Sequence, residues 1–298
     1  MENYRLKVFR TVAKNLSFTK AARELFISQP AITKHIQAIE TEYGLRLFNR
    51  HGSRIYLTPA GKVLYDYSNK LIKLQKELEN DLNVYKDTQT GSLRIGASTT
   101  IAQYVIPPIL SKFHKKFPHY QLVLHSGNSN QIADYLLNGE IDLGIVEGKV
   151  KNRDIKYIKF INDELVAVTN SNNKNLSKDE ISLKELINLP LVLRERGSGT
   201  LEVLEYALKN RKIKLSSLNI LSYLGSTEAI KYYIASDNCL GFISIRALKR
   251  ELDADELKII KVKNFKAPRT FNFITLHGNT PAGITAEFIK LAKREAVT

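Results

Sequence analysis

The chain has one cysteine, Cys239, among 298 residues, so it cannot close an internal disulfide. It has no apolar run approaching the roughly 18 residues of a membrane span, and the opening MENYRLKVFRTVAKN lacks the uninterrupted apolar core of a signal peptide. A reducing, cytoplasmic setting without membrane attachment is the expectation. Catalytic signatures are also missing. The histidines His35, His51, His114, His119, His125 and His277 show no HExxH spacing, and Cys239 has no second cysteine with which to hold a metal. GSGT at 197–200 lacks the GxxxxGK[ST] pattern of a phosphate loop. Cys239 precedes the apolar run LGFISI and reads as a small buried residue rather than a nucleophile. No catalytic residue, metal or cofactor is expected, and the chain is read as a non-enzyme.

What the sequence has is positive charge in one place. The formal net charge is +15 with a pI near 9.6. Residues 1–62 carry 11 Lys+Arg against 4 Asp+Glu, a net of +7, while the other 236 residues hold only +8. A polyanionic partner for the N-terminal part follows, with nucleic acid the first candidate. The length and the 43% apolar content suit about two domains with cores of their own.

The stretch SFTKAARELFISQPAITKHIQAIE, 17–40, contains two helical segments. Thr19 can cap a helix through Leu25, in which Ala21 and Ala22 allow close approach of a neighbour. Ser28 can cap the second, placing Gln29 and Pro30 in its first turn, where a missing N–H costs no helical hydrogen bond. Ile32, Ile36, Ile39 and Tyr43 then form an inward stripe, leaving Ser28, Gln29, Pro30, Thr33, Lys34 and Gln37 outward. An amide and a lysine on the first turns suit the major groove, where Gln pairs with adenine and Lys with guanine. LFNRHGSRIYLTPAG reads as a hairpin turning at His51-Gly52-Ser53, with Arg50 and Arg54 placed to meet phosphates or the minor groove. Thr58-Pro59 starts another helix.

These residues resemble the LysR-type transcriptional regulators, whose N-terminal pattern is present as SFTKAARELFISQPAITKHIQAIETEYGLRLFNR followed by LTPAG. The resemblance implies a winged helix-turn-helix bound to double-stranded promoter DNA, with Gln29, Pro30, Thr33 and Lys34 on the recognition helix and Arg50 and Arg54 in the wing. Thr33, Lys34 and His35 depart from the commoner serine, arginine and glutamine, so the family's base preference is not carried over.

From Pro59 the helix is predicted to reach about Tyr85, with Leu64, Tyr67, Leu71, Leu74 and Leu78 in three-four alternation. The alternatives are a seam between two chains and an ordinary helix packed on its own domain. The resemblance implies the first, a linker helix that makes a homodimer, with pairing into a tetramer open, and a pseudo-palindromic site. Lys86 to Ser92, KDTQTGS, is the predicted boundary. The domains expected are a DNA-binding unit over 1–58, a linker helix over 59–90 and an effector-binding unit over 91–298.

Beyond the boundary strands alternate with helices: SLRIGAS, TIAQYVIPPILSKFHKKF, QLVLHSGN, SNQIADYLLNG and EIDLGIVEG. Later strands are predicted at DELVAVTN, LPLVLRE, LNILSYLG, CLGFISI, LKIIKV and TFNFITLHG, with a last helix near Ala286 to Glu295. This is an α/β unit. The resemblance implies two lobes like those of periplasmic binding proteins, the chain crossing near Asn162 and returning near Lys266. Lobe 1 would then comprise about 91–162 and 267–298, and lobe 2 about 163–266.

In such folds ligands gather at strand ends and helix N-termini, whose free N–H groups favour anions. Ser98-Thr99-Thr100, Asn128-Ser129, Ser198 with Thr200, and Thr227 after Ser226 fall at such junctions, and Arg194 and Arg196 add charge. Each alone reads first as a helix cap, and it is their repetition at equivalent strand-to-helix junctions that points to a ligand. GASTTIAQYVIPPIL, GNSNQI, LRERGSGT and GSTEAIK resemble the LysR-type branch linked to sulfur assimilation and carbon fixation, which implies small anions or phosphorylated metabolites as effectors, an oxyanion such as sulfite or sulfate among them, with a carboxylate open. A solute-binding protein or an enzyme built on the same two lobes is the rival reading; the first would need export and leaves the basic N-terminal part unexplained, and the second lacks catalytic signatures.

Overall fold

The computed structural model describes residues 4–51, 54–83, 91–148, 152–174, 176 and 178–296. The chain divides into two compact units, Met1–Asp87 and Thr88–Thr298, each described by itself.

The first unit begins with α1 (Tyr4–Asn15), α2 (Phe18–Leu25) and α3 (Gln29–Tyr43). Ser17, not Thr19, caps α2, its hydroxyl accepting from the Lys20 N–H at 3.2 Å. Ser28 caps α3 by accepting from the Ala31 N–H at 3.3 Å, and Pro30 falls in the first turn. Ala21, Ala22, Ile32, Ile36 and Ile39 are buried with Val8, Phe9 and Val12 in one core. Tyr43 does not join the buried stripe. It is the last helical residue, before Gly44 reverses the chain at φ 64°, and its ring is exposed.

Strands β1 (Phe48–His51) and β2 (Arg54–Leu57) pair antiparallel, with Arg50 opposite Ile55 and His51 opposite Arg54. Gly52 and Ser53 of the expected turn lie outside the described residues, as do the side chains of Arg50 and Arg54. Thr58 caps α4 (Pro59–Asn83), accepting from the Gly61 N–H at 2.9 Å. The expected helix end at Tyr85 and the boundary segment from Lys86 lie outside the described residues except for Gly91 and Ser92.

The second unit is built on a mixed sheet in the order β4-β3-β5-β12-β6-β10-β8-β9, with β11 pairing β6 and β7. Its strands are β3 (Gly91–Ser98), β4 (Tyr120–Gly127), β5 (Leu143–Glu147), β6 (Ile155–Asn170), β7 (Glu180–Ile181), β8 (Leu191–Arg194), β9 (Ile220–Leu224), β10 (Leu240–Ser244), β11 (Leu257–Val262) and β12 (Ala267–Leu276). The helices are α5 (Thr99–Tyr104), α6 (Ile106–Lys116), α7 (Ser129–Leu137), α8 (Leu183–Asn188), α9 (Gly199–Lys209), α10 (Thr227–Ser236), α11 (Lys249–Asp253) and α12 (Gly283–Glu295). The single helix expected over TIAQYVIPPILSKFHKKF is two. Pro107 and Pro108 have no N–H with which to continue the hydrogen-bond ladder, and the chain opens at Val105, φ −109°, just before them. DELVAVTN is the second half of β6, whose first half was not foreseen: the exposed Lys156 and Lys159 interrupt its apolar pattern.

Two lobes share this sheet. One core holds Ile95, Ile101, Phe113, Ile145, Phe273 and Phe288, and another holds Leu186, Leu191, Leu204, Leu208, Leu240 and Ile260. On β6 the changeover lies between Ile161, in the first core, and Leu165, in the second. On β12 it lies between Ala267 and Phe271. The two strands that carry the chain between lobes are therefore hydrogen-bonded neighbours, with Asp163 opposite Arg269 at the crossing.

Candidate functional sites

In the first unit, burying the isoleucine stripe of α3 leaves Ser28, Gln29, Pro30, Lys34 and Gln37 exposed. Thr33 is half-buried and its hydroxyl donates to the Gln29 carbonyl at 3.2 Å, while the Ser28 hydroxyl is engaged as the cap. Gln29, Lys34 and Gln37 therefore supply the free polar groups of this face. Beside it stands Phe26, which the sequence reading passed over. It ends α2 in the left-handed region at φ 55° and is 94% exposed. On α4, Leu64 packs partly against the first unit's core, while Tyr67, Leu71, Leu74 and Leu78 are exposed in the single chain.

In the second unit all four junctions expected to gather a ligand are helix starts that follow strands or strand-end loops. Ser98 precedes α5, Asn128 caps α7, Ser198 precedes α9 and Ser226 caps α10. Gly197 carries φ +85°, and its carbonyl accepts from the Asn130 N–H at 3.4 Å, joining the α9 loop to the start of α7. The Asn128 side chain is used in a capping box with Gln131. Thr100 and Thr227 stand 3.3 Å apart, hydroxyl to hydroxyl, and link α5 to α10.

At the centre is Glu147, the last residue of β5 and 1% exposed. Its carboxylate accepts from the Ser98 hydroxyl and, at 3.3 Å, from the Thr200 hydroxyl, and its backbone carbonyl accepts from Ser129 at 3.1 Å. Arg269, 6% exposed, donates through Nη1 to Thr200 at 2.9 Å and through Nε to Asp163 at 2.6 Å, and its Nη1 is 3.8 Å from the Glu147 carboxylate. Ser244 donates to the other Asp163 oxygen at 2.8 Å. Sequence reasoning missed Glu147, Asp163 and Arg269, which register rather than spacing brings together.

The hydroxyls of Ser98, Ser129, Thr100, Thr200 and Thr227 thus already have partners within the chain. Among the described residues seven buried side-chain atoms make no hydrogen bond: Thr99 Oγ1, Ser198 Oγ, Arg194 Nη1 and Arg269 Nη2, together with Ser171 Oγ, Thr275 Oγ1 and Glu251 Oε2. Arg194 is buried and holds both oxygens of Glu195, at 2.9 and 3.1 Å, together with the Gly225 carbonyl at 3.2 Å. Arg196 is exposed.

A second polar cluster joins α5 to α10. The Tyr104 hydroxyl donates to Glu228, and the buried Lys231 reaches Glu228 at 3.0 Å, Glu251 at 2.9 Å and the Tyr104 ring face at 4.5 Å. Burial and the Glu228 hydrogen bond push the Tyr104 phenol well above its ordinary range. Burial also raises Glu228, but hydrogen bonds from Tyr104 and Lys231 outweigh it and hold that carboxylate below its usual value. Cys239 is buried as expected, and burial pushes its thiol up to about 11. Among the described residues, no group of three or more His, Cys, Asp or Glu side chains is placed to hold a metal ion. Among the same residues, no helix is long and apolar enough to cross a membrane.

Comparison with known proteins agrees with both units. Residues 4–62 match the family described as bacterial regulatory helix-turn-helix protein, lysR family, and residues 86–297 match the LysR substrate binding domain. The HTH-type transcriptional regulator CysL of Bacillus subtilis is 29% identical over 269 residues, 90% of this chain and 89% of that protein. A probable RuBisCO transcriptional regulator of Chlorokybus atmophyticus is 32% identical over 273 residues, 91% and 87% of the two chains. Among solved structures, the regulatory domain of CcmR from Synechocystis PCC6803, in complex with 2-PG, superposes with a TM-score of 0.63. It is 28% identical, covering 70% of this chain and 98% of that one. The relatives fall in the sulfur and carbon-fixation branch that the effector-unit motifs resemble.

Proposed function

Because the chain belongs to the LysR family of DNA-binding transcriptional regulators with an effector-binding domain, we propose that it binds promoter DNA as a homodimer and changes that binding when a small anion enters between the lobes of its second unit. Gln29 and Lys34 read base edges, Gln37 lies further along the same face, and Arg50 and Arg54 hold the backbone or the minor groove from the wing. The dimer forms through α4, supported by the exposed Tyr67, Leu71, Leu74 and Leu78, which a second copy of the helix would cover.

The observation that carries the effector reading is the set of buried donors without acceptors. Burying a donor with no acceptor costs about 1–3 kcal/mol, and here Thr99 and Ser198 at the starts of α5 and α9, Arg194 at the end of β8 and Arg269 on β12 each hold one. The two guanidinium nitrogens can only donate and the two hydroxyls can donate as well, so an acceptor satisfies all four, and the guanidinium ions favour a negative charge. Small oxyanions such as sulfite or sulfate have this character, as do phosphorylated or carboxylated metabolites. The 2-PG complex of CcmR supports a small-molecule occupant in this kind of domain.

Ser198 and Thr99 make the test clean, since neither hydroxyl bonds within the chain. Ser198→Ala combined with Thr99→Val leaves the melting temperature of the free protein unchanged or higher. Calorimetric titration of the full chain with sulfite, sulfate, thiosulfate, phosphate and small carboxylates identifies the anion bound. Its affinity falls in the double variant by about 1–3 kcal/mol for each hydroxyl removed, about 5- to 150-fold. Undiminished binding in that variant removes the cleft assignment and leaves the DNA assignment standing.

A further inference from the structure

The hydroxyls that first suggested an oxyanion site at Ser98 and Thr200 are occupied, and what occupies them is itself an oxyanion. The Glu147 carboxylate receives one hydroxyl from the start of α5 and one from the first turn of α9, in the manner expected of a bound carboxylate or sulfate. The backbone is shaped around it. A Cβ on Gly199 would stand 2.2 Å from the Glu147 carbonyl oxygen and 2.5 Å from its Cγ, so the start of α9 reaches Glu147 only because residue 199 is glycine. Ser129 at the start of α7 donates to the same residue's carbonyl at 3.1 Å. One residue thus collects three helix N-termini belonging to both lobes.

The charges around it are not balanced in favour of a second anion. Glu147 and Asp163 are both buried, with Arg269 as the buried cation between them. Arg269 is nearer to Asp163, at 2.6 Å from Nε, than to Glu147, at 3.8 Å from Nη1. Arg246 approaches Asp163 at 3.9 Å and is far more exposed. A free oxyanion brought to Ser98 and Thr200 with Glu147 in place would meet a like charge at hydrogen-bonding distance in a poorly screened site.

We infer that the Glu147 carboxylate is the resident anion of this cleft, and that a free oxyanion gains the Ser98 and Thr200 hydroxyls only by displacing it. Glu147 is therefore a specificity determinant. It weakens binding of any small anion that offers nothing but charge, and it favours an effector with a second group able to use the unpaired donors of Thr99, Ser198, Arg194 and Arg269. The inference rests on the effector reading given above and adds the residue that sets which charges the cleft accepts.

The test uses the full chain with sodium sulfate and sodium phosphate as probes. Glu147→Gln keeps the volume and one acceptor oxygen while removing the charge, and a thermal melt establishes that the variant is folded. Calorimetry is expected to show both anions binding at least tenfold more tightly to the variant than to the unaltered chain, including the case where only the variant binds. Should the glutamine variant fail to fold, Glu147→Asp withdraws the carboxylate by one methylene and is expected to tighten sulfate binding in the same direction. Equal or weaker binding in a folded variant overturns the role of Glu147. The effector reading then survives if the unaltered chain binds and Ser198→Ala with Thr99→Val loses that binding. Absence of sulfate and phosphate binding in the unaltered chain and in every folded variant overturns the role of Glu147, and the effector reading falls with it if the other anions also fail to bind.

Discussion

Replacing Gly199 by alanine sets two physical effects against each other with opposite signs. Gly199 is the first residue of α9, and its φ is not in the left-handed region, so helix propensity alone favours alanine by up to about 1 kcal/mol. Packing opposes it. The new Cβ would lie 2.2 Å from the Glu147 carbonyl oxygen, 2.5 Å from the Glu147 Cγ and 2.7 Å from the Ser129 Oγ. Both residues are held in place, Glu147 by the β5–β12 pairing and Ser129 by the start of α7. Overpacking of this kind costs about 1–3 kcal/mol. Moving α9 away also strains the Thr200 and Ser129 hydrogen bonds to Glu147, at roughly 1 kcal/mol each. The expected balance is a loss of about 2–4 kcal/mol in the unit 88–298. Urea unfolding followed by tyrosine fluorescence reads it, since the chain has 14 tyrosines and no tryptophan. A Gly199→Ala chain as stable as the unaltered one, or more so, would refute the close approach of α9 to Glu147 and the gathering of helix starts built on it.

Two further outcomes are expected in the first unit. Phe26→Asn places a residue that tolerates φ 55° where an exposed phenylalanine now stands, and raises the stability of that unit by about 1 kcal/mol in thermal or urea unfolding; no gain would mean that the ring has a packing role. Leu71→Glu with Leu74→Glu, both on exposed positions of α4, converts a dimer to monomer in sedimentation, and an unchanged mass removes α4 as the dimer interface.

The reach of the sequence differs by element for physical reasons. Ser28-Gln29-Pro30 and Thr58-Pro59 were readable because cap, proline and helix start are adjacent and local geometry decides them. Ser17 and Thr19 show the margin of that logic. Both carry hydroxyls, and the helix begins at the earlier one, where the backbone is extended at φ −158°. The α/β class of the second unit followed from alternation, yet the first half of β6 did not, because the exposed Lys156 and Lys159, three apart and so on opposite faces, break the apolar alternation. The centre of the cleft was the least legible part. Glu147, Asp163 and Arg269 are separated by many residues and meet through the pairing of β6 with β12 and of β12 with β5. One signal was present. In APRTFNF an arginine occupies the inward position between Ala267 and Phe271, and an inward arginine calls for a paired anion.

The central claim is that the exposed turns of α3 read DNA. Genomic footprinting with the unaltered chain supplies a bound site, and fluorescence anisotropy on that duplex then compares Gln29→Ala and Lys34→Ala with Arg50→Ala and Arg54→Ala. The first pair is expected to lose about 1–3 kcal/mol on the site and little on unrelated DNA, so that discrimination falls. The wing pair is expected to lose affinity nearly evenly on both duplexes. Undiminished affinity and discrimination in Gln29→Ala and Lys34→Ala would contradict the assignment of α3 as the reading helix.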